Sequence, residues 1–248
     1  MTQTRWTASL IGIAGLALLA LWSAGCGGNR QGDPGNQGGP GAEERRRTVE
    51  KNLKMLGVAF HNYAAANNDA LPPPAITDAQ GKALLSWRVA ILPFIEQEPL
   101  YKEFKLDQAW DSDHNKKLLS KMPAVFAPAG VQTAQPNSTF LQLFTGPKTP
   151  WPTLSTRMRL TQFTDGTSNT ILVAEAGDAV PWTKPVDLAH DPDKPLPKLG
   201  AHVEGVFLAV FADASVRTLR RDADAKDLRL LIDPHDGQII PWDRVEAK

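Results

Sequence analysis

The chain has 248 residues, of which 42% are hydrophobic and 22% are charged, which suits one globular domain with appendages. Its 27 basic and 27 acidic residues cancel, so no basic excess indicates nucleic acid as a partner. The 20 prolines and 19 glycines predict many loops and turns between short elements.

The N-terminus has the layout of a secretory signal. Arg5 precedes an apolar run over residues 8–22 that is short for a membrane span, and three small residues at 23–25 precede Cys26. This pattern resembles the lipobox of bacterial lipoproteins, in which cleavage falls before the cysteine and its sulfur is lipidated. We therefore expect a lipoprotein-type signal peptide at residues 1–25 and lipidation of Cys26. The alternative is an uncleaved membrane anchor.

Cys26 is the only cysteine, which excludes an intramolecular disulfide, a thiolate metal site and a cysteine nucleophile within the domain. Residues 26–42 are predicted to contain the lipidated cysteine and a flexible tether rich in glycine and proline. The tether would hold the domain at a distance from the bilayer. With either kind of anchor the body of the protein lies outside the cytoplasm. We expect a membrane-anchored lipoprotein of the cell envelope that faces the periplasm or the cell exterior.

Residues 44–68 give the clearest signal of a long helix. Apolar side chains recur there at alternating steps of four and three and share one face: Val49, Leu53, Leu56, Phe60 and Tyr63. A long helix with one apolar stripe needs a partner surface, which the β-prone segments further along can provide. Residues 43–248 are therefore predicted to form one α+β domain. In it the long N-terminal helix packs on an antiparallel sheet, with short helices and long loops.

Shorter elements follow. The run 84–101 predicts a second helix, capped by Ser86 and with a kink or break at Pro93, and residues 113–120 predict a third. A turn of helix is expected at 160–163 and a short helix at 224–231. The proline-rich stretch 181–197 is expected to be an exposed insertion. Strands are predicted at 124–126, 139–144, 170–174 and 237–240, with a hairpin formed by 206–211 and 215–219.

Three segments together resemble a known family: residues 52–63 (NLKMLGVAFHNY), 86–115 and 163–176 (FTDGTSNTILVAEA). They are similar to the large planctomycete family called domain of unknown function fifteen fifty-nine, which is also filed under a bacterial solute-binding heading. The resemblance covers residues 43–240. It implies a pilin-like architecture, with a long N-terminal helix on an antiparallel sheet, and it implies no known activity.

The chain departs from that family in three places. Typical members begin with a prepilin cleavage site whose apolar helix runs directly into the domain, and a lipobox and tether here disfavour pilus-like assembly. Members end with a histidine, nine residues and Asp-Gly, whereas ten residues separate His202 from Asp213 here and Ala214 replaces the glycine. The family's two cysteines match Val49 and Ala127, which fits the loss of one disulfide.

The loop 165–170 is a candidate ligand or cation site. Its carboxylate, amide and hydroxyl oxygens are the ligands that a hard cation needs, although the acidic spacing of an EF-hand is missing. An Asx-type turn that leads into the next strand is the favoured interpretation. Glu175, just after that strand, is either a further oxygen ligand or, preferably, a surface or edge-strand charge. The candidate residues in the loop are Asp165, Thr167, Ser168 and Asn169.

A second polar cluster contains Asp111, Asp113 and His114. Two carboxylates and an imidazole within four positions suit a metal or acid–base site. Helix capping is favoured, because no second histidine stands at ligand spacing. Trp87 and Arg88 are expected to pack the second helix onto the domain, with a binding face as the alternative.

No catalytic motif is present: neither a Gly-x-Ser-x-Gly elbow, a Walker loop, Gly-x-Gly-x-x-Gly nor His-Glu-x-x-His occurs. We therefore predict that the protein is not an enzyme and that it uses no metal or cofactor.

The predicted function is a non-catalytic, lipid-anchored structural or interaction module of the cell envelope. Its partners are the membrane, through Cys26, and other envelope proteins, and such a module should expose an apolar patch. The alternative is a solute- or sugar-binding lipoprotein with a concave pocket lined by aromatics such as Trp151 and Trp182. A hydrolase is a more distant alternative.

Overall fold

A computed structural model describes residues 41–247. The predicted signal peptide, Cys26 and the predicted tether up to residue 40 lie outside the described residues. The α-helices are α1 (Ala42–Ala66), α2 (Trp87–Ala90), α3 (Glu98–Glu103), α4 (Ala225–Leu230) and α5 (Trp242–Val245). The strands are β1 (Ala75–Thr77), β2 (Ala83–Ser86), β3 (Ser138–Thr145), β4 (Ile171–Pro181), β5 (Leu188–Ala189), β6 (Val206–Phe211) and β7 (Val216–Arg220). Short 3₁₀ helices lie at Leu92–Ile95, Asn115–Lys121, Ala124–Phe126 and Leu160–Gln162.

Helix α1 is the predicted amphipathic helix, beginning and ending two residues earlier than expected. All five residues of its apolar stripe are at most 8% exposed, so the periodicity identified the buried face correctly. Glu43 and Glu44 lie in the first turn, where negative charge stabilises the helix dipole. The helix ends before Asn68 and Asp69, which both have positive φ.

The main sheet has five strands in the order β5-β3-β4-β6-β7. Its neighbours pair antiparallel, except for a two-residue parallel pairing of β5 with β3. Strands β6 and β7 form the predicted hairpin, with Val206 opposite Arg220 and Val210 opposite Val216. Strands β1 and β2 pair separately. This confirms an α+β fold with a long N-terminal helix and antiparallel sheets.

Both faces of the main sheet are covered, as the alternating side chains of β6 show. Leu208 and Val210 pack into the core that contains the stripe of α1. Phe207, Ala209 and Phe211 pack into a second core with residues of the C-terminal segment. Because the sheet is buried on both faces, its strands are almost uniformly apolar. Among residues 41–247, every helix is too short or too polar to cross a membrane.

The prediction of one helix over residues 84–101 is wrong. Leu84 and Leu85 belong to strand β2, and helix α2, a 3₁₀ helix and α3 follow one another. Ser86 does cap α2, because its Oγ accepts a hydrogen bond from the Arg88 N–H. Pro93 lacks an N–H donor and Glu96 has a φ of 60°, so the backbone cannot continue as one α-helix.

Two other predictions of local structure are also wrong. Residues 124–126 form a 3₁₀ helix, and 237–240 form no strand. In both cases the apolar pattern is too short to establish a strand. The short helix predicted at 113–120 is present as a 3₁₀ helix at Asn115–Lys121.

The stretch 181–197 is not wholly an exposed insertion. Trp182 and Thr183 within it are fully buried, and its short strand β5 joins the main sheet. Trp182 stacks on Phe126 with ring centroids 5.9 Å apart, and its Nε1 donates to the Leu119 carbonyl. Proline content predicted the irregular backbone but not the burial of the aromatic side chain.

Candidate binding surface around Phe94

The loop 165–170, predicted as a candidate ligand site, forms hydrogen bonds with the C-terminal segment. The two carboxylate oxygens of Asp165 accept hydrogen bonds from the backbone N–H groups of Asp236 at 2.6 Å and Gly237 at 3.0 Å. Asn169 Nδ2 donates to the Asp165 carbonyl at 2.7 Å. The half-buried Thr167 accepts the Asp213 N–H through its carbonyl, and Ser168 is exposed. These contacts are those of a turn, and no group of three metal-binding side chains occurs among residues 41–247.

The second polar cluster is not brought together as a site. His114 Nε2 hydrogen-bonds to the Glu103 carbonyl at 2.8 Å, while Asp111 and Asp113 are exposed. The neighbouring Asn115 is fully buried, and its side chain both donates to and accepts from the backbone. Nδ2 of Asn115 donates to the carbonyls of Lys105, Gln108 and Ala109. Sequence reasoning missed this residue, because an asparagine gives no local signal of burial.

Glu175 is neither a surface charge nor an edge-strand charge. It lies in β4, the central strand, with no exposed surface. One carboxylate oxygen accepts hydrogen bonds from the backbone N–H groups of Ala201 and His202 and from His202 Nδ1, at 2.5 to 2.9 Å. The other accepts the Leu208 N–H at 3.2 Å. Burial raises the pKa of Glu175, but the hydrogen bonds from the His202 side chain and from the backbone N–H groups of Ala201 and His202 outweigh this effect and hold the pKa below its ordinary value.

His202 joins this carboxylate to a third segment. The Ala129 N–H donates to His202 Nε2 at 3.1 Å, so Nδ1 carries the proton and donates to Glu175. The ring also meets Phe140 edge-on, with centroids 5.1 Å apart. His202 is the histidine of the family-like C-terminal pattern. The sequence singled it out without showing its partner.

Trp87 and Arg88 fix helix α2 by packing, as predicted. Arg88 is fully buried, lies over the Trp87 ring and forms a 2.8 Å ion pair with Asp187. Its guanidinium also donates to the Leu141 carbonyl, and Trp87 Nε1 donates to Asp187. Burial lowers the pKa of Arg88 and raises the pKa of Asp187, against their mutual attraction.

Trp151 and Trp182 do not line a ligand pocket. Both are fully buried, and their indole N–H groups donate to the carbonyls of Pro72 and Leu119. A solute site built on these two tryptophans is therefore excluded. The aromatic side chains that reach a cavity come from other segments.

An open cavity of about 470 Å³ lies beside the C-terminal half of α1. We call it the aromatic cleft. Tyr63 and Phe94 meet edge-to-face with centroids 5.4 Å apart, and Tyr101 lines the same space. The other residues that line the cleft include Asn67, Ile76, Thr77, Leu106, Ser155 and Arg157.

A second cavity, of about 550 Å³, lies on the other side of Phe94. We call it the apolar groove. Its edge on α1 is formed by Met55 and Val58, which are 42% and 53% exposed. Phe94 lines both cavities, so the aromatic cleft and the apolar groove are neighbours on one surface. The groove is completed by residues that include Asn62, Ile95, Glu96, Pro123 and Val125.

Comparison with family models matches residues 42–154 to a family described as a protein of unknown function (DUF1559). Comparisons with curated proteins and with solved structures found no match. The matched part contains α1, Phe94 and Tyr101, and therefore most of the surface described above. The match supports the resemblance of residues 42–154 to the DUF1559 family of proteins of unknown function.

Proposed function

We propose that the protein is a non-catalytic, lipid-anchored interaction module of the cell envelope, and that its apolar groove holds an amphipathic helix of a partner envelope protein. The observation that carries this proposal is the exposure of Met55 and Val58. An exposed apolar patch is the feature that distinguishes an interaction module from a solute binder or an enzyme.

The geometry of the groove favours a helix as its occupant. Met55 and Val58 stand three residues apart on α1 and so lie on neighbouring turns of the same face. A helix laid along α1 would cover both side chains and place its own apolar stripe against Phe94 and Val125. Glu96 lines the groove, and the exposed Lys54 lies one helical turn before Val58 on α1, so both charges can meet the polar face of the partner.

The polar groups of the core support a non-catalytic role. Both ring nitrogens of His202 are engaged by the chain, and its side chain is 3% exposed. The carboxylate of Glu175 is likewise occupied by donors from the protein itself. A general acid or base must reach a substrate atom, and this pair has no atom free to do so.

Site-specific photo-crosslinking in intact cells tests the proposal. A photoreactive amino acid at Met55 should give a discrete adduct with an envelope protein, and the additional change Val58→Asp should abolish it. The matched control position is Arg47, which is exposed on α1 about two turns before Met55. Equal labelling from Met55 and Arg47, or a Met55 adduct that survives Val58→Asp, would contradict the proposal. Because Val58 is exposed, thermal unfolding of the variant should be unchanged.

A further inference from the structure

We infer that the aromatic cleft binds an acidic sugar, meaning a sugar ring that carries a carboxylate. This inference goes beyond the proposed interaction with a partner helix. It depends on the cleft and not on the apolar groove.

The first argument concerns a cation without a partner. The guanidinium of Arg157 forms no hydrogen bond or ion pair with residues 41–247 and is exposed at the cleft. Several other arginines pair with carboxylates, as Arg88 does with Asp187 and Arg244 with Asp227. A guanidinium at the wall of a cavity offers two parallel N–H donors, which match the two oxygens of a carboxylate.

Hydroxyl groups in the cleft are also free. The phenol oxygens of Tyr63 and Tyr101 and the hydroxyl of Thr77 form no hydrogen bond within the described part of the chain. Burial raises the pKa of Tyr63, and the positive charge of Arg157 acts on it in the opposite direction. Tyr63 and Arg157 line the same cavity, so both groups can meet one ligand.

The walls of the cleft suit a ring. Tyr63 and Phe94 are inclined by 65° and Tyr101 adds a third aromatic side chain, so a ring can pack on one aromatic face while another borders its edge. The cavity of about 470 Å³ falls within the usual range of small-molecule sites, about 300–1,000 Å³. These features are compatible with either a sugar acid or a flat aromatic acid.

The remaining polar groups favour the sugar. Asn67, Thr77 and Ser155 line the same cavity, although Asn67 Nδ2 already donates to the Tyr63 carbonyl and Ser155 Oγ lies 3.4 Å from Thr153 Oγ1. The hydroxyls of a sugar can donate to the side-chain oxygens of Asn67 and Thr77 and accept from the Thr77 hydroxyl, whereas the ring of an aromatic acid has no such groups. The carboxylate distinguishes an acidic sugar from a neutral one, because only the acidic sugar satisfies Arg157.

Isothermal titration calorimetry on the full-length chain in detergent tests this inference with four probes: galacturonate, glucuronate, glucose and benzoate. We expect at least one of the two uronates to bind, with glucose and benzoate at least tenfold weaker. A trimer of galacturonate in a further titration distinguishes the source of the ligand. Tighter binding of the trimer indicates a polysaccharide, and equal binding indicates a free monosaccharide.

Arg157→Gln should weaken uronate binding at least tenfold, to the level of glucose. Its unfolding midpoint should not change, because Arg157 forms no hydrogen bond or ion pair with the described residues. Lys51→Gln removes another exposed cation from outside the cleft and should bind uronate normally. No binding of either uronate, equal binding of benzoate, or full binding by Arg157→Gln would overturn the inference. Crosslinking from Met55 does not depend on Arg157, so the two proposals can fail separately.

Discussion

At the scale of single residues, Glu175 shows how a buried charge is stabilised. Its carboxylate is buried away from water. Three backbone N–H groups and one imidazole N–H provide the hydrogen bonds that water would otherwise form with it. The donors belong to Ala201, His202 and Leu208. The carboxylate therefore connects the loop before β6, and β6 itself, to the central strand β4. A buried carboxylate with several donors is stable as long as it stays ionised.

Replacing this carboxylate should destabilise the fold in a pH-dependent way. We expect Glu175→Gln to lower the free energy of unfolding at pH 7 by about 3 kcal/mol, because the amide cannot accept every hydrogen bond that the carboxylate accepts. The pKa of Glu175 is lower in the folded than in the unfolded chain. Its contribution is therefore complete above the ordinary pKa of glutamate, about 4.3, and is lost as the pH falls below that value through the folded-state pKa.

Urea unfolding of the wild type and the variant at a series of pH values measures this difference. The gap between the two proteins should narrow steadily from about pH 5 to about pH 3. Glu204→Gln is the matched control, because Glu204 is exposed and should change stability by less than about 0.5 kcal/mol. A gap that is independent of pH would show that the carboxylate does not act through its charge.

At the scale of elements, the packing of α1 on the β6–β7 hairpin depends on Gly57. A Cβ at this position would lie 2.9 Å from Ala214 Cβ and 2.9 Å from Val210 Cγ2, closer than such atoms normally approach. Ala214 lies in the turn of the hairpin with a φ of 66°, a left-handed conformation that glycine adopts more readily. The helix and the turn therefore constrain each other through two small residues.

The two positions should be coupled energetically. Gly57→Ala should destabilise by about 1 kcal/mol, because overpacking costs about 1–3 kcal/mol and the gain in helix propensity is about 1 kcal/mol. Ala214→Gly should stabilise by about 1 kcal/mol by relieving the left-handed alanine. It also removes the Cβ that Gly57→Ala would meet, so the cost of Gly57→Ala should shrink in that background.

A double-mutant cycle followed by chemical denaturation tests the coupling. Two effects that add within about 0.5 kcal/mol would show that the contact between helix and turn does not limit the packing.

At the scale of the whole molecule, the proposed location depends on the N-terminal segment. Lipidation of Cys26 would attach the domain to a membrane through a tether. Cys26 lies outside the described residues, so this proposal rests on the order of charge, apolar run, small residues and cysteine.

Cys26→Ala should release the protein from the membrane, because no sulfur remains to carry the lipid. Fractionation of cells and labelling with a radioactive fatty acid measure the change. Ser23→Ala keeps the small residue and the cysteine, so it should remain in the membrane fraction and incorporate the label. Retention of Cys26→Ala in the membrane would contradict lipid anchoring.

The pattern of apolar and polar residues predicted those helices and strands that have one buried and one exposed face. The stripe of α1 gave the helix and its buried face, and the short apolar runs at 206–211 and 215–219 gave the hairpin. The α+β class followed from these, since a one-sided helix needs a sheet to cover it. Segments buried on all sides, such as residues 84–89, carry no such contrast and were assigned wrongly.

Only the tertiary structure decided which polar groups meet. Arg88 and Asp187 lie 99 residues apart and Glu175 and His202 lie 27 apart, yet each pair is buried in direct contact. The aromatic cleft likewise takes Tyr63, Phe94 and Arg157 from three distant segments. Sequence periodicity reports which side of an element avoids water. It does not report which distant group satisfies a buried charge, because that is fixed only when the elements pack and exclude water around the pair.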